Sequence, residues 1–386
     1  MVDADALPTL AALYPEMESP TPSSTTQEAA VLAEAVRGRT LLLSGAGGSL
    51  GRALARRLAA LPVDRLLCLD TSEQGLVHLR DELASIGDLR GNGADERSPE
   101  IDYLLADLRL PADRVRVLRS DPDVVLHAAA YKHVPFLEER PVAAVQNNVL
   151  ATADWLQACR DRAAVRRFVL VSTDKAVQPT GVMGRTKAVA ERLLRRAAPG
   201  LAATTVRLCN VFGSRGSVVP RFCRRLRAGK PLPVTHPDME RWFVGSEEAA
   251  RLVLRALGHE PGTYVPATHR RVGIEDLARR LVRWVRPGAV PEAWIRHVGP
   301  RAGERLQERM LAPDEEPGVP VDGGLRRARP RPPRPGPDEF RHGLEQLRRA
   351  CREGRGPAVR EILRDLTVRM SAPDSERPDR RPRPTS

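Results

Sequence analysis

Lysine is the scarce basic residue of this chain. Only four of its sixty-two basic residues are lysine, at positions 132, 175, 187 and 230. The rest are arginine, which does not give up its proton in a protein, whereas a buried lysine does. Amine chemistry is therefore confined to four positions. Two of them, Lys175 and Lys187, share one short segment, residues 172–187 (STDKAVQPTGVMGRTK). No run of eighteen apolar residues occurs, which excludes a membrane-spanning helix. The five cysteines (Cys68, Cys159, Cys209, Cys223, Cys351) fall in no metal-binding or redox spacing. No metal site is expected, and a reducing compartment fits. The N-terminus opens acidic with no signal-peptide pattern, so the expected location is the cytoplasm. No internal repeat is present.

The net charge of +13 raises the question of nucleic acid or membrane surfaces. Its distribution argues against both. Residues 321–386 hold seventeen arginines and ten acids, so +7 lies there and only +6 in the other 320 residues. That is the pattern of a solvated tail, and no nucleic-acid partner is expected. Residues 321–337, rich in Pro and Arg, read as a linker. Apolar periodicity at Phe340, Leu344 and Leu347, then at Val359, Ile362, Leu363 and Leu366, predicts two short helices within 338–370. Residues 371–386 and 1–25 are expected to be disordered. A leading helix is expected at 26–37.

Between these ends, apolar strands alternate with helical stretches. Strands are expected at 39–44, 65–70, 103–107, 124–130, 168–172 and 204–208, which predicts an α/β fold built on a doubly wound parallel sheet. The first strand runs into Gly45, Gly47, Gly48, Ser49, Leu50 and Gly51, and then a helix. Glycine is needed where the backbone turns sharply and approaches a pyrophosphate. The helix N-terminus adds free N–H groups and a positive dipole end. The second strand ends in Asp70, nineteen residues past Gly51, where an acceptor for a ribose 2′-hydroxyl belongs. This order predicts a dinucleotide site. Asp70 favours NAD, because a carboxylate repels a 2′-phosphate, and NADP is the alternative. Asp107 and Leu108 follow the third strand. Ala128, Ala129 and Ala130 end the fourth, where small residues leave room for a flat ring. Thr173, Asp174 and Lys175 stand at the carboxyl end of the fifth, the edge where open α/β sheets bind ligands. From Gly181 the pattern is helical, which puts Met183 and Lys187 one turn apart on one face.

These residues resemble the extended short-chain dehydrogenase/reductase superfamily. Within it they resemble the capsule-polysaccharide-type UDP-N-acetylglucosamine 4,6-dehydratases. The resemblance is carried by residues 45–51, 127–135 (HAAAYKHVP), 147–149, 172–187, 210–220 (NVFGSRGSVVP), 235–243 (THPDMERWF) and 299–304 (GPRAGE). It implies a Rossmann domain at 38–208 that binds NAD(P). A smaller C-terminal part, mainly 209–320, would bind the UDP-sugar, and the resemblance also implies a homo-oligomer. The superfamily carries Tyr-x-x-x-Lys on the helix after strand five. Here the Tyr position is Met183, and none of the four tyrosines has Lys four residues on. A thioether cannot carry a proton. The larger family members share Met here, so Met183 reads as a subfamily mark. Arg185 and Cys209 replace smaller residues.

The resemblance implies a redox-neutral reaction: oxidation at C4, loss of water across C5 and C6, and return of the hydride to C6. Asp174 and Lys175 would be the acid and base, with Lys175 partly neutral through burial and nearby charge. Thr173 would bond the 4-hydroxyl, and Lys187 would hold the nicotinamide ribose. Lys132 and His133 would touch the sugar or the diphosphate, or serve as ordinary loop residues. Asn210, Arg215, Ser217, Arg241 and Arg301 would contact the nucleotide, where arginine suits bidentate diphosphate binding. Glu304 would accept from the uridine ribose. Two other readings stand beside this one: an epimerase on the same fold, and a non-catalytic dinucleotide sensor.

Overall fold

A computed structural model of the chain describes residues 7–15, 26–90, 99–197, 200–267, 270–301, 303–312, 315–322, 324–330 and 337–368. Fourteen strands run through the described residues. They are β1 (Thr40–Ser44), β2 (Arg65–Asp70), β3 (Glu100–Leu105), β4 (Val124–His127), β5 (Arg167–Thr173), β6 (Ala202–Leu208), β7 (Asn210–Val211), β8 (Leu232–Val234), β9 (Glu240–Val244), β10 (Gly262–Pro266), β11 (Arg270–Gly273), β12 (Ile295–His297), β13 (Glu315–Pro320) and β14 (Leu325–Pro330).

Nine strands form the main sheet, in the order β13-β14-β10-β6-β5-β4-β1-β2-β3. From β10 to β3 every pairing is parallel. The central strands read as apolar runs because helices cover both faces; Leu41, Leu42 and Leu43 of β1 are fully buried. The chain leaves β1 towards β2 on one side and β4 on the other. That reversal opens a crevice at the carboxyl ends of these strands. A second lobe carries the three-stranded sheet β11-β9-β7 and the pair β12-β8. Its own core includes Phe212, Phe222, Phe243, Leu277 and Leu281. The doubly wound sheet with a smaller C-terminal lobe is as expected.

Two stretches differ from expectation. Leu325–Pro330, within the expected linker, is the strand β14. It pairs antiparallel with β10 and with β13. Its Leu325 and Ala328 are buried, while prolines at 317 and 320 sit on the outermost strand, where a missing N–H costs no ladder bond. Pro and Arg content concealed that alternation. At the other end, residues 10–13 of the expected N-terminal tail form a short helix. Leu13 and Tyr14 are buried in the second lobe, and Arg280 lies 4.3 Å over the Tyr14 ring. Arg280 also donates to the Leu13 carbonyl at 2.7 Å, which helps dock this segment. The expected tail at 371–386 lies outside the described residues. No helix among the described residues is long and apolar enough to cross a membrane.

The expected C-terminal helices are Pro337–Arg352 and Gly356–Val368. Their apolar faces do not pack on each other alone. Phe340, Leu347, Val359 and Leu363 share one cluster with Leu137, Val145, Val149, Val182, Met183 and Val189. The pair therefore covers the outer face of the helix Val182–Ala197. Glu138 fastens the arrangement. One of its oxygens accepts from the Val182 amide at 2.5 Å, at that helix's N-terminus. The other pairs with Arg360 at 3.0 Å. Because Leu363 is fully buried here, Leu363→Ala should cost about 2–5 kcal/mol by transfer and cavity terms. Urea unfolding measures this. A change below about 0.5 kcal/mol, typical of a surface site, would show that the pair does not pack as described.

Candidate active site

The loop after β1 folds as the glycine spacing requires. Gly45 has φ +79°, and a Cβ there would lie 2.7 Å from the Ala129 amide nitrogen. A Cβ on Gly51 would lie 2.0 Å from the Gly45 carbonyl oxygen. These contacts bring the loop onto the end of β4 and seat it at the N-terminus of the helix Ser49–Leu58. Asp70 is built into the same loop. One carboxylate oxygen accepts from the Gly47 amide and the other from the Ser72 amide, both at 2.9 Å. Asp107 turns instead to Arg109, which binds it through side chain and backbone. That pairing holds its carboxyl below the usual range. Leu108 is buried beside it.

A cavity of about 700 Å³ opens from this loop across the carboxyl ends of β4, β5 and β6. Its wall includes Gly45, Gly48, Ser49, Leu50 and Gly51, then Ala128 and Ala130, then Thr173, Lys175, Met183 and Lys187. Lys132, His133, Asn210, Ser217, Arg241 and Glu304 line the rest. Gly47, Asp70, Asp107, Leu108, Ala129, Asp174, Arg215 and Arg301 do not line it. Arg215 is exposed; its amide donates to Ser49 Oγ at 3.0 Å, tying the second lobe to the glycine loop. His133 lies against Gly216, where a Cβ would meet its ring at 2.3 Å.

The centre of the site is a short bonded chain. The Thr173 hydroxyl donates to Asp174 Oδ1 at 2.8 Å. Lys175 Nζ donates to the same oxygen at 2.9 Å and to Asn210 Oδ1 at 3.2 Å. Asn210 is fixed in turn by its amide bond to the Trp242 carbonyl at 2.9 Å. Asp174 is fully buried, and its Oδ2 has no hydrogen-bond partner. Lys175 reaches the cavity because the 3-10 turn Asp174–Ala176 packs tightly on Gly184, where a Cβ would lie 2.2 Å from the Lys175 carbonyl oxygen.

Lys187 is buried, and burial pushes its ammonium down to about 8, against the pull of Glu191. Met183, one turn earlier, lines the cavity where a hydroxyl would otherwise stand. Of the four tyrosines only Tyr131 lines it, at the rim and exposed. Asn148 holds that rim. Its side chain accepts from the Tyr131 amide and donates to the Tyr131 carbonyl and to Thr186. It does so from the π-helical turn Gln146–Leu150, a distortion often found at functional sites.

Two wall residues escaped the sequence reading. Arg221, on the helix Val218–Arg227, faces the cavity near Arg301 and Glu304. One of four arginines in that helix, it carries no distinguishing local signal. Glu308 is a buried carboxyl on the wall beside Lys175. It stands four residues past Glu304, outside the stretch 299–304 that carries the resemblance, and no local signal marks it.

The family model described as polysaccharide biosynthesis protein matches residues 41–320. The chain belongs to this family. It is 35% identical over 292 residues to the capsular polysaccharide biosynthesis protein CapD of Staphylococcus aureus, covering 74% of this chain and 47% of that one. The chain thus spans about half the length of that curated relative. It is 30% identical to a UDP-N-acetylglucosamine 4,6-dehydratase (inverting) of Campylobacter jejuni, covering 72% and 79%. It is 31% identical to a UDP-glucose 4-epimerase of Rickettsia bellii, again covering 72% and 79%. The solved structure of Pen from Bacillus thuringiensis shares the fold, with TM-score 0.66, 24% identity, and 77% and 89% of the two chains covered.

The cavity fits a dinucleotide. The glycine loop leaves no room for side chains, the helix dipole points into it, and the buried Ser217 Oγ and Glu304 Oε2 have no hydrogen-bond partner. The lysine content makes the electrostatics testable. The ¹³C-lysine ε-carbon spectrum should hold four resonances. The one removed by Lys187→Arg should titrate with a midpoint of about 8. In this window the unfolded chain keeps the proton that the folded protein has shed. Lys187's penalty on stability is therefore full below about pH 8 and is relieved as pH rises towards the ordinary lysine range. A midpoint in the ordinary lysine range would show that Lys187 is not desolvated.

Proposed function

We propose that the protein is a nucleotide-sugar 4,6-dehydratase acting on UDP-N-acetylglucosamine or a close relative. The observation that carries this reading is the Thr173–Asp174–Lys175–Asn210 chain at the end of β5, beside a buried Lys187 and a hydroxyl-free Met183. Epimerisation at C4 needs a proton carrier at the tyrosine position and no amine aimed at C5. Here the tyrosine position is Met183, and the amine Lys175 stands on the cavity wall, which supports the dehydratase reading. NAD is the cofactor that the glycine loop and Asp70 fit; when bound, it would remove hydrogen from C4 and return it to C6.

The chain's own residues would do the rest. Gly45, Gly48, Ser49 and Gly51 would hold the pyrophosphate. Lys187, Ala128 and Ala130 would line the nicotinamide end. Thr173 would bond the 4-hydroxyl. Once C4 is a ketone, the C5 proton is acidic, and Lys175 in its amine form would remove it. Asn210 and Asp174 keep the Lys175 nitrogen in place. Arg241 and Glu304 would orient the nucleotide from the second lobe.

Incubation of the purified protein with UDP-N-acetylglucosamine should give a product lighter by one water. A product of equal mass would make the protein an epimerase, the reading that the Rickettsia relative favours. No product would make it a sensor. Lys175→Arg keeps the charge and removes the base. It should lower water loss by about 10²–10⁴-fold, the usual cost of losing a general base, and end exchange of the C5 hydrogen with solvent. Near-normal turnover would remove Lys175 from the mechanism. Met183→Tyr should not raise activity, because the site has been rebuilt around a thioether; a gain would mark Met183 as a lost tyrosine.

A further inference from the structure

We propose that the basic end of the second lobe docks on an anionic membrane surface. This docking is independent of the dehydratase reading. Two stretches build the end, residues 221–237 (RFCRRLRAGKPLPVTHP) and 283–291 (RWVRPGAVP), and neither contains an acid. The first runs from the helix Val218–Arg227 through β8. The second is the end of the helix Ile274–Val285 with the turn that follows. They meet directly. Arg286 donates to the Leu226 carbonyl at 2.9 and 2.7 Å, and its guanidinium lies 4.3 Å over the Trp294 ring. A Cβ on Gly229 would lie 3.9 Å from Arg286 Nη2. β12 pairs with β8 beside them, which brings in Arg296.

Arg224, Arg227, Lys230, Arg283 and Arg296 are exposed at this end. Among the described residues, Arg224, Lys230, Arg283 and Arg296 have no carboxylate partner. The acid that follows the second stretch, Glu292, is paired with Arg279 instead. Arginines in the last turn of a helix also answer its negative dipole end, and that accounts for Arg224, Arg227 and Arg283. It does not account for Lys230 and Arg296, which lie beyond the helices, nor for the apolar surface beside them. Val290 is 65% exposed and Val298 46%. The rings of Trp284 and Trp294 are only partly buried against the core of the lobe.

Cations around an apolar tip match the boundary of a bilayer. Lipid phosphates take the ammonium and guanidinium groups, while valine and the amphipathic indoles sit at headgroup depth. The backbone of a nucleic-acid duplex offers phosphates but no apolar layer for Val290 and Val298. The chain-wide distribution of charge conceals this end. The two stretches together carry +7, more than the +6 of residues 1–320 as a whole, because the acids lie elsewhere. Each cation brought to an anionic leaflet strengthens binding by roughly fivefold. Several cations and a shallow apolar tip hold the protein on the surface without a span.

The full chain should be sedimented with vesicles of phosphatidylcholine alone and of phosphatidylcholine mixed with phosphatidylglycerol. Wild-type protein should bind the anionic vesicles only, and added salt should release it. The triple variant Arg224→Glu, Lys230→Glu, Arg283→Glu should bind more than about 100-fold more weakly. Val290→Asp, which leaves every cation in place, should lose about tenfold and carries the comparison if the triple variant does not fold. Tryptophan emission should shift to the blue on anionic vesicles, and Trp284→Phe should reduce that shift. Wild-type protein that stays in the supernatant with anionic vesicles overturns the proposal. So do variants that sediment like the wild type, because the contact then lies elsewhere on the chain. So does wild-type capture of single-stranded RNA that the triple variant loses while vesicle binding is unchanged, because that gives the same surface to nucleic acid.

Discussion

The buried cluster Glu191–Arg207–Glu315 is the interaction on which the rest of the site depends. Arg207 of β6 donates to both oxygens of Glu191 at 2.9 and 2.6 Å, and to Glu315 at 2.9 Å and the Met310 carbonyl at 3.1 Å. Ser172 of β5 adds a bond to Glu191 at 2.6 Å. All three charged groups are at least nine-tenths buried. Taking such ions out of water is costly, and their geometry has to repay it; removing one partner typically costs roughly 3–5 kcal/mol because a charge is left stranded. Here the two carboxylates hold Arg207 in its charged form, and Arg207 with Ser172 keeps Glu191 ionised. Glu191 lies one turn beyond Lys187 on the same helix, and Met310 lies two residues beyond Glu308. One guanidinium thus fixes the distance between the helix that carries Lys187 and the segment that carries Glu308.

Met183 links packing and chemistry in a second way. Its side chain belongs to the apolar cluster under the C-terminal helices and also to the cavity wall. A hydroxyl at this position would face apolar groups on one side and the site on the other. The thioether satisfies both sides without a polar atom to be partnered. The hydrogen-bonding work passes to Thr173, Asn210 and the Asp174–Lys175 pair, all fixed by β5, β7 and the turn after β5.

The parts legible in the sequence were those set by local pattern. Apolar runs gave β1, β2, β5 and β6 within a residue or two, and the glycine spacing gave the loop at 45–51. The Thr-Asp-Lys run carried most of the site because strand and turn fix its direction. Other features depend on partners far along the chain. Arg207 reads as one arginine among many until Glu315, 108 residues later, closes on it. Asp70 reads as a ribose acceptor; its two bonds to the loop appear only when Gly47 and Ser72 are folded around it. β14 was hidden because its alternation is written in Leu325 and Ala328 between arginines, and its pairing depends on β10. Glu308 stayed silent because neighbouring acids at 304 and 308 look alike until one fold direction turns each towards different surroundings.

Glu138 carries a consequence for biosynthesis. It touches the first amide of the helix Val182–Ala197, the backbone at Gly181 and Gly303, and Arg360. Three of the strips that meet there are made at very different times during synthesis. When residues 172–187 leave the ribosome, neither the wall at 303–310 nor the cover at 337–368 has been translated. The Rossmann half is able to fold early, as domains generally do during synthesis, but Lys175 and Lys187 then border an open, uncovered face. The cavity wall and the cover over the helix Val182–Ala197 are therefore complete only when the late segments dock.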